Sequence, residues 1–169
     1  MADVRNNIVA WAKYLQGKAS HFTYTEGPQR MADIGVWPLK YPITADCSAF
    51  VTLVYWLAGA GDPNGQHYDH EGYTGTLLAH GQHVTIDKIQ AGDLVVYGGG
   101  TGEHTALIVE VDGKDILTIS HGQQGDPSYV WVNKPSVPAR GHGFDGRTPQ
   151  TFLHFNTASV GTQHQVPLA

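Results

Sequence analysis

The chain has 169 residues, a length that suits one compact domain. Its formal charge is −5 and it holds only 10 Lys and Arg residues, which argues against a nucleic-acid partner because such proteins present a basic face. No apolar run approaches the roughly 20 residues of a membrane span, and the first residues lack the pattern of a secretory signal. The sequence therefore predicts a domain that does not span a membrane, made in the cytoplasm or exported by another route.

The first predicted element is a helix over about residues 4–16, capped by Asp3 and stopped by Gly17. Its apolar residues recur at helical spacing and predict one buried face. The following segment, residues 22–42, contains Pro and aromatic residues and is predicted to be a surface loop.

A second helix is predicted to begin at Cys47, with Asp46 or Thr44 as its cap. Its buried stripe is apolar, and Gly59 and Gly61 mark its end. This helix places the chain's only cysteine in its first turn.

Strand patterns follow a polar, Gly-rich segment over residues 59–81, which predicts a long loop or a short helical excursion. The predicted strands cover residues 93–97, 104–111, 116–120, 129–132 and 151–155, with a hairpin turn at Asp112-Gly113. The tail over residues 157–169 has no periodicity and is predicted to be a frayed tail or linker stub. We therefore expect one α+β domain over residues 1–156, in which an antiparallel sheet packs on the Cys47 helix.

Cys47 is a candidate nucleophile because of its predicted place at a helix N-terminus. The unpaired N–H groups there favour a thiolate, which predicts a lowered thiol pKa, and they can bind an oxyanion. A base must lie within hydrogen-bond reach. His104 opens a strand, and a turn centred on residues 112 and 113 would place it opposite His121. We therefore expect His104 as the base and His121 as the group that orients it.

Four segments in order along the chain resemble the signatures of the NlpC-type cell-wall cysteine peptidases, which have a papain-like fold. They are Asp46-Cys47-Ser48-Ala49-Phe50, Ala91-Gly92-Asp93-Leu94-Val95, Glu103-His104-Thr105-Ala106-Leu107-Ile108 and Ile119-Ser120-His121-Gly122. The whole is also similar to the peptidase modules of phage endolysins that attack actinobacterial walls. Two differences from the family pattern are Ala49 in place of its usual Gly and the absence of a Gly-Gly pair beside Tyr24.

The resemblance implies a peptidase that cuts the stem peptide of peptidoglycan, the expected partner. It implies catalytic roles for Cys47, His104 and His121, and substrate-binding roles for Tyr24, Asp46 and Ser48. As an endolysin, the protein would accumulate in the host cytoplasm and reach the cell wall after release. No cofactor is expected, and the sequence does not set the oligomeric state.

Several alternatives remain open at this stage. Gln123 or Asn133 could orient the base instead of His121. An amidase or acyltransferase of the same thiol clan would share the three catalytic residues. A metal-dependent wall hydrolase would use the histidines of residues 67–83, and a non-catalytic module would bind the wall without cutting it.

Overall fold

The computed structural model describes residues 2–113, 115–132 and 147–167. Within them it has three α-helices, which are α1 (Arg5–Gln16), α2 (Cys47–Ala58) and α3 (Thr74–His80). The strands of the same residues are β1 (Phe22–Tyr24), β2 (Ile43–Ala45), β3 (Gln82–Val84), β4 (Leu94–Tyr97), β5 (His104–Asp112), β6 (Asp115–Ser120), β7 (Ser128–Trp131) and β8 (Gln150–His154). None of the described helices is long and apolar enough to cross a membrane.

Six strands form one antiparallel sheet in the order β3-β8-β4-β5-β6-β7. One face of this sheet, including Leu94 and Leu107, packs with α1 and α2 in the main core. The alternate residues of the same strands, including Val95 and Ala106, lie in a second apolar cluster on the other face. The predicted α+β fold, with the cysteine helix packed on an antiparallel sheet, is confirmed.

Helix α2 begins at Cys47 because Asp46 caps it. The Asp46 carboxylate accepts a hydrogen bond from the Ala49 N–H at 2.8 Å, which satisfies one of the free donors of the first turn. All but one residue of α2 are buried, so packing on both sides stabilises it. The helix ends where Gly59 takes a left-handed conformation with φ of 89°, as the sequence predicts.

The segment over residues 22–42, predicted to be a loop, is bounded by a short parallel ladder between β1 and β2. Tyr24 pairs with Ala45, so β1 runs alongside the residues that lead into α2. Each strand has only three residues, too few for an alternating pattern to be detected in the sequence. This ladder places Tyr24 beside the cysteine.

The polar segment before α3 is held together by the buried Asp62 carboxylate. It accepts hydrogen bonds from the backbone N–H groups of Asn64, Gln66 and Tyr68 at 2.8–3.2 Å. The Asn64 side chain also donates to the Thr52 hydroxyl of α2 at 2.9 Å. The loop is therefore anchored on α2, and the predicted helical excursion is α3.

The tail over residues 157–167 docks on the domain, although the sequence predicts it to be frayed. The His164 N–H donates to the Leu57 carbonyl at 2.9 Å, and the Trp11 indole donates to the His164 carbonyl at 2.9 Å. The His164 ring stacks on Trp37 with 4.1 Å between centroids. The tail has no periodicity because it is irregular chain, and its contacts are made by single residues.

Candidate active site

Cys47 is the first residue of α2, and its side chain is buried, with the residue 9% exposed. The backbone N–H groups of Thr105, Ser48 and Cys47 lie near the sulfur and act to lower its pKa. Thr105 directly follows His104 at the start of β5. The packing of β5 on α2 therefore brings the strand end that carries the predicted base to the cysteine.

The pKa of the Cys47 thiol is raised to about 12, chiefly by burial and then by the negative charge of Asp46. The three N–H groups oppose this rise but do not outweigh it. The predicted lowering of the thiol pKa is therefore wrong for this arrangement. The helix N-terminus acts as expected, but the loss of hydration at a buried sulfur is the larger effect.

His104 is buried at the head of β5 and pairs across the strands with Tyr97 of β4. Their rings are stacked, with 6.0 Å between centroids and 25° between planes. The stack and the burial limit the ring to few orientations, as a base of fixed geometry requires.

His121 follows β6 and is buried among three aromatic rings. Its ring centroid lies 5.5 Å from Phe22, 5.3 Å from Tyr24 and 6.4 Å from Phe50. His121 therefore lies on the side of the site formed by β1 and α2, and Tyr24 lies beside both it and the cysteine.

The predicted direct pairing of His104 with His121 is wrong by one position. The hairpin pairs Asp112 with Asp115, and its register shifts between Ile108 and Glu110. Its last pair is Leu107 with Ile119, and continuing that register by two residues places Thr105 opposite His121. The hairpin turn thus lies later in the chain than predicted, which moves the register by two positions, and the bulge, which adds one residue to β5, moves it back by one.

Tyr24 lies near the cysteine, and its hydroxyl has a partner of its own. It donates to the Glu26 carboxylate at 2.8 Å, and burial together with this bond raises the Tyr24 pKa. The Gln124 side chain donates to the Tyr24 carbonyl at 3.0 Å, so the loop after β6 is joined to β1. Tyr24 thus stays protonated at physiological pH, and it connects β1 to the loop after β6.

Asp46 and Ser48, predicted to touch substrate, take part in an internal network. The Ser48 hydroxyl donates to the Asp46 carboxylate at 3.1 Å, and Ser48 is only 2% exposed. Arg30 donates to both, at 3.4 Å to Asp46 and 3.2 Å to Ser48, and its other nitrogen bonds the Gly72 carbonyl. Arg30 is not predicted from the sequence, because the short 3-10 helix in which it lies, Pro28–Met31, has no pattern that points to α2.

The residues considered as alternatives, for orienting the base or for binding a metal, lie in different environments from His121. Gln123 is exposed, its backbone N–H donates to Asp126, and Asn133 lies outside the described residues. His70 and His83 contact backbone carbonyls at 3.0 and 2.8 Å. Across the part of the chain that the structure describes, no three His, Cys, Asp or Glu side chains gather as metal ligands would.

Three solved structures are similar to this chain in fold. RipB of Mycobacterium tuberculosis, a peptidoglycan hydrolase, is 20% identical with a TM-score of 0.49, over 89% of this chain and 65% of its own. The P60 domain of an antigen from M. avium subspecies paratuberculosis is 18% identical with a TM-score of 0.46, and the match covers 88% of this chain and 96% of that domain. RipD of M. tuberculosis, a non-catalytic NlpC/p60 protein adapted to peptidoglycan binding, is 17% identical with a TM-score of 0.45, over 91% and 98%.

These structural likenesses are too distant to assign an activity, and no curated protein matches the chain in sequence. The chain spans 65% of the length of RipB, so it corresponds to part of that protein. One family, described as the CHAP domain, matches residues 36–123, just over half of the chain. The match contains Cys47, His104 and His121. The chain therefore belongs to the CHAP domain family of peptidoglycan hydrolases.

Proposed function

We propose that this domain is a cysteine endopeptidase that hydrolyses a peptide bond in the stem peptide of peptidoglycan. Cys47 is the nucleophile, His104 the general base and His121 the group that orients the base. The observation that carries the proposal is the packing of β5 on α2, which brings the Thr105 N–H, one residue from His104, near the Cys47 sulfur. Nucleophile and base thus come from the first turn of α2 and the first residue of β5.

In the first half of the reaction, the His104 imidazole takes the thiol proton while the Cys47 sulfur attacks the scissile carbonyl carbon. The carbonyl oxygen becomes an oxyanion, and backbone N–H groups at the head of α2, including that of Cys47, stabilise it. The C–N bond then breaks. The imidazolium gives its proton to the leaving amine, and an acyl-enzyme thioester remains on Cys47.

In the second half, His104 takes a proton from a water molecule that attacks the thioester carbonyl. The C–S bond breaks, the sulfur regains a proton from the imidazolium, and the stem peptide leaves with a new carboxylate. The reaction consumes one water molecule and leaves the protein unchanged.

The raised thiol pKa indicates how the proton moves. A thiol of pKa about 12 is neutral at pH 7, so the resting site holds no preformed thiolate. His104 then acts as a true general base during attack, and the thiolate forms only as the new C–S bond does.

Substrate contacts are proposed for Tyr24 and Asp46, which border the cysteine on two sides. The Tyr24 ring and the Glu26 carboxylate that its hydroxyl bonds form one wall. Ser48 is proposed to act through Asp46, because its hydroxyl is buried and already donates to that carboxylate.

Family membership supports peptidoglycan as the substrate, and RipB is itself a peptidoglycan hydrolase. The bond that is cut separates the proposal from an amidase. An endopeptidase releases fragments with a new amino-acid amine, whereas an amidase separates the whole peptide from the glycan. The phage-endolysin role, with the host cytoplasm and then the wall as locations, stays a prediction of the resemblance.

Mass spectrometry of fragments released from purified peptidoglycan tests the proposal. We expect the wild type to release fragments cut within the stem peptide, and Cys47→Ser to release none. Release of intact stem peptides alone would establish an amidase instead. Binding to the wall without any release would show a non-catalytic module, the class to which RipD belongs.

A further inference from the structure

Arg30 holds together three parts of the site that are distant in sequence. Its guanidinium bonds the residues on both sides of Cys47 and also the Gly72 carbonyl, in the loop before α3. The side chains of Arg30 and Asp46 are only 18% and 14% exposed, so solvent screens their ion pair less than a surface pair. One nitrogen serves Asp46 and Ser48, and the other serves Gly72.

The loop that Arg30 contacts is itself anchored on α2. Asn64 donates to the Thr52 hydroxyl, and that hydroxyl donates to the Ser48 carbonyl at 2.7 Å. Gly72 lies so close to Asn64 that a Cβ on Gly72 would collide with the Asn64 amide. The first turn of α2 is therefore held from two sides, by Arg30 through side chains and by the loop through Thr52.

The charge of Arg30 has a second consequence, because Asp46 is the negative group next to the cysteine. The other titratable groups around Cys47 are Tyr24 on β1, His104 on β5 and His121 after β6. Arg30 is the cation that pairs with Asp46. An unpaired Asp46 would disfavour a developing thiolate more strongly than the ion pair does.

We propose that Arg30 is a positioning residue of this active site, which fixes the first turn of α2 and offsets the charge of Asp46 beside the nucleophile. The proposal rests on the proposed role of Cys47 as nucleophile. Arg30 does not touch the reacting atoms, and it acts through Asp46 and Ser48. A lysine would keep the charge but has a single nitrogen, so it cannot bond Asp46 and Gly72 in the same forked geometry.

The test measures the rate of Cys47 alkylation by iodoacetamide against pH, which needs no substrate. Arg30→Gln should raise the midpoint by about half a unit to one unit, whereas Arg30→Lys should stay near the wild type. Arg30→Gln combined with Asp46→Asn should return the midpoint toward the wild type. Lys13→Gln, which removes an exposed charge on α1, is the matched control and should leave the midpoint unchanged.

Wall digestion by the same variants gives the second measurement. Arg30→Lys should have a lower kcat, because lysine keeps the positive charge but cannot make the hydrogen bonds of both guanidinium nitrogens. An Arg30→Gln midpoint equal to the wild type, with the fold intact, would overturn the proposal and leave Arg30 a purely structural residue. If Arg30→Gln does not fold, Asp46→Asn tests the effect of charge on Cys47 by itself. Asp46→Asn should lower the pH midpoint of Cys47 alkylation. An unchanged midpoint would show that the Asp46 charge does not act on the thiol. If the midpoints shift as expected but wild type releases nothing from the wall, the proposed function fails and the role of Arg30 at the thiol stands.

Discussion

The raised pKa of Cys47 predicts a measurable loss of stability at alkaline pH. An unfolded cysteine titrates near about 8.5, whereas the folded thiol titrates near about 12 because it is buried. A group whose pKa is higher in the folded state contributes its full stabilisation below the unfolded pKa. That contribution is lost as the pH rises from about 8.5 toward 12, because only the unfolded chain releases the proton.

The magnitude follows from the two values. At pH 10 the unfolded thiol lies about 1.5 units above its pKa, and each unit corresponds to about 1.4 kcal/mol, so the expected loss is about 2 kcal/mol. The assay is urea denaturation of wild type and Cys47→Ser between pH 7 and pH 10.5. Serine does not ionise in this range, and the buried tyrosines are common to both proteins, so their titration cancels in the difference.

We expect the difference in free energy of unfolding to be constant below about pH 8 and then to fall for the wild type. A difference that does not change with pH would show that burial does not perturb the thiol. A wild type that gains stability relative to Cys47→Ser as the pH rises toward 8.5 would show the reverse, a thiolate stabilised by the helix N-terminus. The first result would refute the raised thiol pKa, and the second would refute the general-base mechanism proposed for His104.

The remaining predictions concern other parts of the account. His104→Gln should lower kcat/KM on a soluble stem peptide by about 100-fold or more. His121→Asn keeps a hydrogen-bonding group, so its kcat/KM should fall by less. Equal losses in the two variants would show that His121 does more than orient the base. Tyr24→Phe should leave stability nearly unchanged but alter KM, and an unchanged KM would remove Tyr24 from the substrate wall. His164→Ala should cost about 1 kcal/mol by thermal unfolding and leave wall digestion unchanged, because its stack on Trp37 lies at the opposite end of α2 from Cys47.

Local signals made α2 and the central strands predictable from the sequence. Asp46 and Gly59 are residues whose side chain or conformational freedom defines a helix end, and both act as predicted. The strands β4 and β5 have their predicted positions to within one residue at each end, because Gly-rich segments separate them. Cys47 is thus placed by interactions within a few residues of itself.

The properties that depend on tertiary packing were not predictable in the same way. The pKa of Cys47 is set by how deeply the sheet and β1 bury the sulfur, and no local pattern reports that burial. The one-residue error at His121 comes from a hairpin turn that lies later in the chain than predicted, and the bulge on β5 reduces that error. Arg30 contacts Asp46, which lies 16 residues later in the chain, so its role appears only when the fold is known.

The central claim is that Cys47 carries the chemistry, and titration of the protein with iodoacetamide tests it most directly. Cys47 is the chain's only cysteine, so the fraction of modified protein in the intact mass equals the fraction of modified Cys47. We expect peptidoglycan digestion to fall in proportion to this fraction and to reach zero at one label per chain. Fully labelled protein that digests the wall at the wild-type rate would contradict the account.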